Sequence, residues 1–354
     1  MTKHRFPHFD VIKGIAILIV VMGHVMIFGI HKIDSAFIFK ITEKLHMPLF
    51  FFISGYFIYK LIDGKIGLPN IISRFKQLII PFFCVSTLWI YYFPHSGIES
   101  PLNSTWEGLY SDGWKNGYWF TLSLFELILI YCAIVPLFNR IRNVAFQIAI
   151  VTVLYAIIGV FIQIGDASIN AYIGLPLIYQ FLPIFFAGIF ARKYADKFNM
   201  VVTNNIAITT SILLGGFLLY YACYFWEFPQ ISDSIVGFAT SLVHIAVVIV
   251  AFAVVKPWCE CEFSKESPSK IIKVLQYIGK ESLAIYLLHY FFLLHYFFLF
   301  PMTSLRQPMI DMAFGFVPMF VVSFIVSSAI IAIVLGIKSI ISKSKLLSML
   351  ILGK

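Results

Sequence analysis

Phe9-Asp10-Val11-Ile12-Lys13-Gly14-Ile15-Ala16-Ile17-Leu18-Ile19-Val20-Val21-Met22-Gly23-His24-Val25 begins an apolar run that continues to about residue 31. About 20 apolar residues form a helix long enough to cross the hydrocarbon core of a bilayer. The run is too long for the apolar part of a cleavable leader, so it reads as a retained membrane anchor. Two ionisable residues interrupt it. Lys13 and His24 are eleven residues apart, close to three helical turns, so they share a face with His24 ~16 Å further along the axis. Asp10, one turn before Lys13, is placed to pair with it.

Nine further apolar runs follow, at about 46–62, 77–95, 118–138, 144–164, 175–192, 205–225, 234–256, 275–300 and 309–341. Each is continuously apolar rather than alternating, which selects helices over a β-barrel. The expected fold is all-α, a polytopic bundle of about ten spans, with residues 1–354 forming one membrane domain. Composition agrees. Hydrophobic residues make up 60% and charged residues 12% of the 354, against roughly 25% charged in soluble domains. The polar surface needed to coat a soluble body of this size is missing.

The net charge is +9. Assigning loops alternately to two sides puts twenty of the 26 Lys and Arg on one side and five in outer loops on the other, Lys32, Lys40, Lys44, Lys115 and Arg306, with Lys13 inside the first run. By the positive-inside rule both termini face the cytoplasm, and an even number of spans follows. The basic balance thus encodes topology, and nucleic acid is not an expected partner. Of the five cysteines, Cys84, Cys132 and Cys223 lie in apolar runs. Cys259-Glu260-Cys261 sits in what reads as the longest cytoplasmic loop, Lys256 to Lys273, as an exposed reduced pair. No metal site is expected. Glu99 to Lys115, with Trp106 and Trp114, is the longest outer loop and reads as a lid.

An ionisable residue inside a membrane helix is costly and is a functional candidate by default. Lys13 alone would snorkel to the interface, but that leaves His24 unexplained. His46-Met47-Pro48-Leu49-Phe50-Phe51-Phe52-Ile53-Ser54-Gly55 opens the second run, where Ser54 and Gly55 permit close helix packing. Arg74 and Lys76 form a cytoplasmic basic cluster suited either to topology or to gripping phosphate. Tyr118-Trp119-Phe120 begins the fourth run in the manner of an aromatic belt. Ser282, Tyr286 and His289 follow i, i+4, i+7 spacing and share a helix face. His244 and His295 read as helix-to-helix hydrogen bonders.

Lys13, with His24 after ten intervening residues, resembles the Lys/Arg-x10-His motif of the membrane acyltransferase-3 family. The segment His46 to Gly55 is similar to that family's second helix, and Trp119-Phe120 and Ser282 to His289 resemble its later signatures. One departure is visible: the family often carries Arg-x-x-Arg before the third helix, and here Gln77 follows Arg74, with Lys76 as a neighbouring cation.

The resemblance implies an O-acyltransferase of the bacterial inner membrane, with no bound cofactor. It would move an acyl group, by default acetyl, from cytoplasmic acyl-CoA to a hydroxyl of a cell-envelope or lipid-linked glycan. In that scheme His24 is the general base, with Asp10 and Lys13 completing the catalytic set. Lys13, Arg74 and Lys76 meet the donor's phosphates. Ser282, Tyr286, His289, Trp119 and His46 are candidates for the acceptor or oxyanion. Direct transfer and an acyl-enzyme relay both remain open. The same features also fit a multi-span transporter of a glycan or small acid; paired broken helices in two inverted halves would favour it, and no such pair stands out.

Overall fold

The computed structural model describes residues 6–26, 33–62, 68–95, 109, 115–141, 143–224, 233–293 and 316–354. Within them the chain is helical: α1 (Pro7–Val25), α2 (Ile33–Ile62), α3 (Leu68–His95), α4 (Trp119–Arg140), α5 (Val144–Ile164), α6 (Ala167–Ile173), α7 (Leu175–Lys193) and α8 (Ala195–Thr203). These are followed by α9 (Asn205–Tyr224), α10 (Asp233–Phe263), α11 (Lys270–Lys280), α12 (Ser282–Leu288), α13 (Tyr290–Leu293), α14 (Phe316–Ile341) and α15 (Lys345–Leu352). The local sequence explains many of the boundaries. Pro7 takes the first helical position of α1, where its missing N–H costs nothing. Asn143, Asp166, Ser269 and Ser344 each cap a helix start by accepting from backbone N–H groups.

Seven helices among the described residues are long and apolar enough to cross a membrane, and eight if α8 and the start of α9, bent by 73°, form one span. They coincide with seven of the ten runs. The other three take different forms. Run 46–62 is the second half of the thirty-residue α2. Run 205–225 falls in α9, beyond the 73° bend. Run 275–300 divides into α11, α12 and α13, and its residues beyond 293 lie outside the described set. Helix α11 is amphipathic: Ile272 and Gly279 are buried while Lys270, Ile271, Lys273, Val274 and Tyr277 are exposed. A helix with that polar load packs one face and leaves the other at an interface.

The expected long cytoplasmic loop is shorter than its sequence suggests. Helix α10 runs through Pro257 to Phe263, so Cys259 is a buried helical residue at 2% exposure while Cys261 is exposed. The exposed Cys pair is corrected accordingly: a helix places residues two apart on different faces. Lys44, assigned to an outer loop, is also helical and buried, inside α2. The proposed lid is outside the described residues except Leu109 and Lys115.

The described contacts divide into two compact units, residues 1–50 with 196–340, and residues 51–195 with 341–354. The first is organised on α1. Gly14 lies against the carbonyl of Leu275, where an added Cβ would come within 2.1 Å of the oxygen. Reciprocally, a Cβ on Gly279 would come within 1.7 Å of the Asp10 carbonyl oxygen. Two glycines thus let α1 and α11 touch backbone to backbone, the small-residue contact that membrane helices use. Phe9 and Phe198 pack edge-on to Phe252 nearby.

The second unit repeats the device. A Cβ on Gly55 of α2 would meet the Phe185 oxygen at 2.0 Å, and one on Gly188 of α7 the Phe52 oxygen at 2.0 Å. The close packing expected of Gly55 is therefore present. Beside it Phe51, Phe181 and Trp119 form a ring stack.

Candidate active site

Helix α1 carries Asp10, Lys13 and His24 as the spacing requires. The Asp10 carboxylate holds the Lys13 ammonium at 2.9 Å, and both side chains keep some exposure, 14% and 23%. Three turns on, His24 is half-buried. Two residues from the far end of the chain meet it. The Nε2 of His289 stands 2.9 Å from His24 Nδ1, and the Tyr290 hydroxyl stands 3.1 Å from His24 Nε2. The two imidazoles stack with centroids 5.1 Å apart, and the Tyr290 ring is 4.9 Å from that of His24.

The hydrogen-bond directions follow from the backbone. His289 is fully buried, and its Nδ1 lies 3.0 Å from the Ile285 carbonyl and 2.8 Å from the Tyr286 carbonyl. Carbonyl oxygens only accept, so His289 Nδ1 bears the hydrogen. For uncharged rings its Nε2 then accepts, and His24 Nδ1–H donates to it. That leaves the lone pair of His24 on Nε2, where Tyr290 donates its O–H. Two backbone carbonyls thereby set the tautomer of a histidine 265 residues away in sequence, which is the task an orienting carboxylate performs in a nucleophile-base-orienter triad.

Adjacent helical side chains diverge by ~100°, an angle across which His289 and Tyr290 both reach the His24 ring. The backbone between α12 and α13 stays helical at His289, with φ −62° and ψ −30°. Upstream, Glu281 separates α11 from α12 and is held by Lys338 at 2.9 Å.

Of the sequence candidates, the structure brings His289 to His24 directly. Tyr286 contributes its carbonyl to His289, with its ring 6.3 Å from the imidazole. Ser282 opens α12, almost two turns before His289. His46 is buried within α2 rather than at a helix end, in electrostatic range of His24. Trp119 lies in the ring stack of the second unit at 7% exposure, so it serves packing rather than an interfacial belt. Also in that unit, half-buried Arg74 donates to the Gln77 side chain one turn on, while Lys76 is exposed. Tyr290 was not among the candidates; a hydroxyl in a run of Phe and Leu next to His289 is its one sequence signal. His244 is buried in α10, and His295 lies outside the described residues.

A family model described as "Acyltransferase domain" matches residues 6–332, nearly the whole chain. The chain belongs to the acyltransferase-3 family. Among curated proteins it is similar to nodulation protein NolL of Mesorhizobium japonicum, 31% identical over 148 residues, covering 40% of this chain and 38% of that protein. It is likewise similar to nodulation protein NolL of Sinorhizobium fredii, 32% identical over 140 residues, covering 37% and 38%. The chain therefore spans less than two fifths of the length of the curated relatives it matches. No solved structure matches it. The chain thus combines the family's acyltransferase domain with several helices long and apolar enough to cross a membrane.

Proposed function

We propose that this acyltransferase transfers an acetyl group from cytoplasmic acetyl-CoA to a hydroxyl of a cell-envelope or lipid-linked glycan, directly, with His24 as general base. The observation that carries the reading is the fixed tautomer of His24, which leaves Nε2 unprotonated on a half-buried ring. The likeness to two nodulation proteins supports a carbohydrate acceptor. As the acceptor oxygen attacks the thioester carbonyl, its proton passes to the base. The tetrahedral intermediate collapses with cleavage of the C–S bond, and the His24 imidazolium returns the proton to the departing thiolate. The products are an O-acetyl ester and CoA. While His24 is cationic, its Nδ1–H bond to His289 strengthens, because charge-assisted hydrogen bonds exceed neutral ones.

The charge count supports ten spans with both termini cytoplasmic, in the bacterial inner membrane. Lys13 then stands at the cytoplasmic mouth of α1, where its ammonium meets the donor's phosphates. The ~16 Å between Lys13 and His24 is spanned by the donor's extended pantetheine arm, which brings the thioester to the base.

Purified protein in proteoliposomes, given radiolabelled acetyl-CoA and an extract of envelope glycans, tests this. His24→Ala is expected to lose ~10²–10⁴-fold in transfer rate, the usual contribution of general base catalysis. Full activity in correctly inserted His24→Ala protein refutes the base assignment. Mass spectrometry of the glycan product identifies acyl group and acceptor together.

A further inference from the structure

His24 has one lone pair in its ring plane, on Nε2, and Tyr290 already occupies it at 3.1 Å. An acceptor hydroxyl cannot bond to that nitrogen while Tyr290 does. Tyr290 is poorly placed to step aside. It is buried to 4% exposure, and its ring packs on that of His289 at 4.3 Å and on that of His24 at 4.9 Å. Its neighbour His289 is fixed in turn by hydrogen bonds to the Ile285 and Tyr286 carbonyls. Its oxygen, having donated its hydrogen to His24, retains lone pairs that accept.

Building on the base role of His24 proposed above, we infer that Tyr290 is a catalytic residue that relays the proton between the acceptor and His24. The acceptor O–H donates to Tyr290 Oη, and Tyr290 O–H donates to His24 Nε2. In the transfer step the acceptor oxygen forms its bond to the acyl carbon and gives up its hydrogen to Oη. In the same motion the phenolic hydrogen passes to Nε2, so the tyrosine begins and ends neutral. Collapse of the intermediate then sends the proton from Nε2 to the thiolate, through the same hydroxyl or directly. Both atoms and charge balance without any further reagent. The relay places the acceptor hydroxyl beside Tyr290 rather than against the imidazole.

Tyr290→Phe removes the relaying oxygen and keeps the ring that packs on both histidines. Turnover of acetyl-CoA with the envelope glycan extract is measured in mixtures of light and heavy water, which counts the protons in flight. The native protein is expected to show a curved dependence from two transferred protons. Tyr290→Phe is expected to lose about 10²-fold in kcat, with unchanged KM for acetyl-CoA and a linear, one-proton dependence in the residual rate. A native-like rate in Tyr290→Phe overturns the relay. A lowered rate with the same linear dependence in both proteins also overturns it, since that pattern marks a positioning role. The base reading is judged separately by His24→Ala: an inactive His24→Ala beside a fully active Tyr290→Phe removes the relay and leaves the base in place.

Discussion

Replacing Gly279 by Ala changes one hydrogen to a methyl group on α11, ten residues before His289. In the observed packing that methyl would sit 1.7 Å from the Asp10 carbonyl oxygen, 2.7 Å from its carbon and 2.8 Å from the Gly14 nitrogen. All three are backbone atoms of a helix and cannot rotate away. The helices must therefore part by roughly 1.7 Å to reach the 3.4 Å at which ordinary contact begins. If half of that opening passes along α12, the 2.9 Å bond from His24 to His289 exceeds hydrogen-bond range. A displacement near 1 Å costs a positioned catalytic group about 10²-fold in rate. Overpacking of a close helix contact costs about 1–3 kcal/mol. Two measurements follow: acetyl transfer in proteoliposomes, and thermal unfolding in detergent. Gly336→Ala is the control, since a Cβ there meets nothing within 4 Å. Gly279→Ala is expected to lose about 10²-fold in turnover and to melt lower, with Gly336→Ala matching the native protein. Native turnover in Gly279→Ala refutes the claim that this crossing sets the active-site geometry.

Lys13→Ala is expected to raise KM for acetyl-CoA about tenfold with kcat unchanged, the loss of one charge-assisted hydrogen bond of ~1.5 kcal/mol; an unaltered KM removes Lys13 from the donor site. His289→Phe keeps a ring in the cavity but gives His24 Nδ1–H no acceptor, so kcat should fall by about 10²-fold, and a native rate would show that the tautomer is set elsewhere. The rate of the native enzyme should decline as pH falls, because a base protonated on Nε2 has no lone pair to offer. A rate that rises as pH falls speaks against a histidine base, since protonation can only remove the lone pair the base needs.

The Lys13 and His24 stripe was legible because α1 is regular: eleven residues is three turns whatever surrounds the helix, and the intrahelical Asp10 pair needed no tertiary information. His289 was legible for a related reason, as a polar residue in phase with Tyr286 on a short helix. Tyr290 was not, because it stands ~100° round the helix from His289 and only the placement of α1 shows that both reach His24. Hydropathy located seven helices suited to crossing a membrane, where apolar length alone decides. It misread 256–263, because Lys256 and Pro257 resemble a loop start although α10 continues through both. It also misread Lys44, whose charge suggested water but whose helix buries it. Gly55 was singled out from its small size, whereas Gly14 and Gly279 acquire meaning only once α1 and α11 are seen to cross.

The crossing of α1 on α11 has an unusual thermodynamic character for a contact that shapes an active site. Between helices in lipid, apolar surface gains nothing by leaving the solvent, since acyl chains are as apolar as the side chains. The Gly14 and Gly279 contact is instead held by dispersion between backbones, a short-range force that screening ions do not weaken. Such a joint is indifferent to ionic strength and sensitive to any bulk that keeps the two backbones apart. The alignment of His24 with His289 is, on these terms, decided by the two side chains that Gly14 and Gly279 lack.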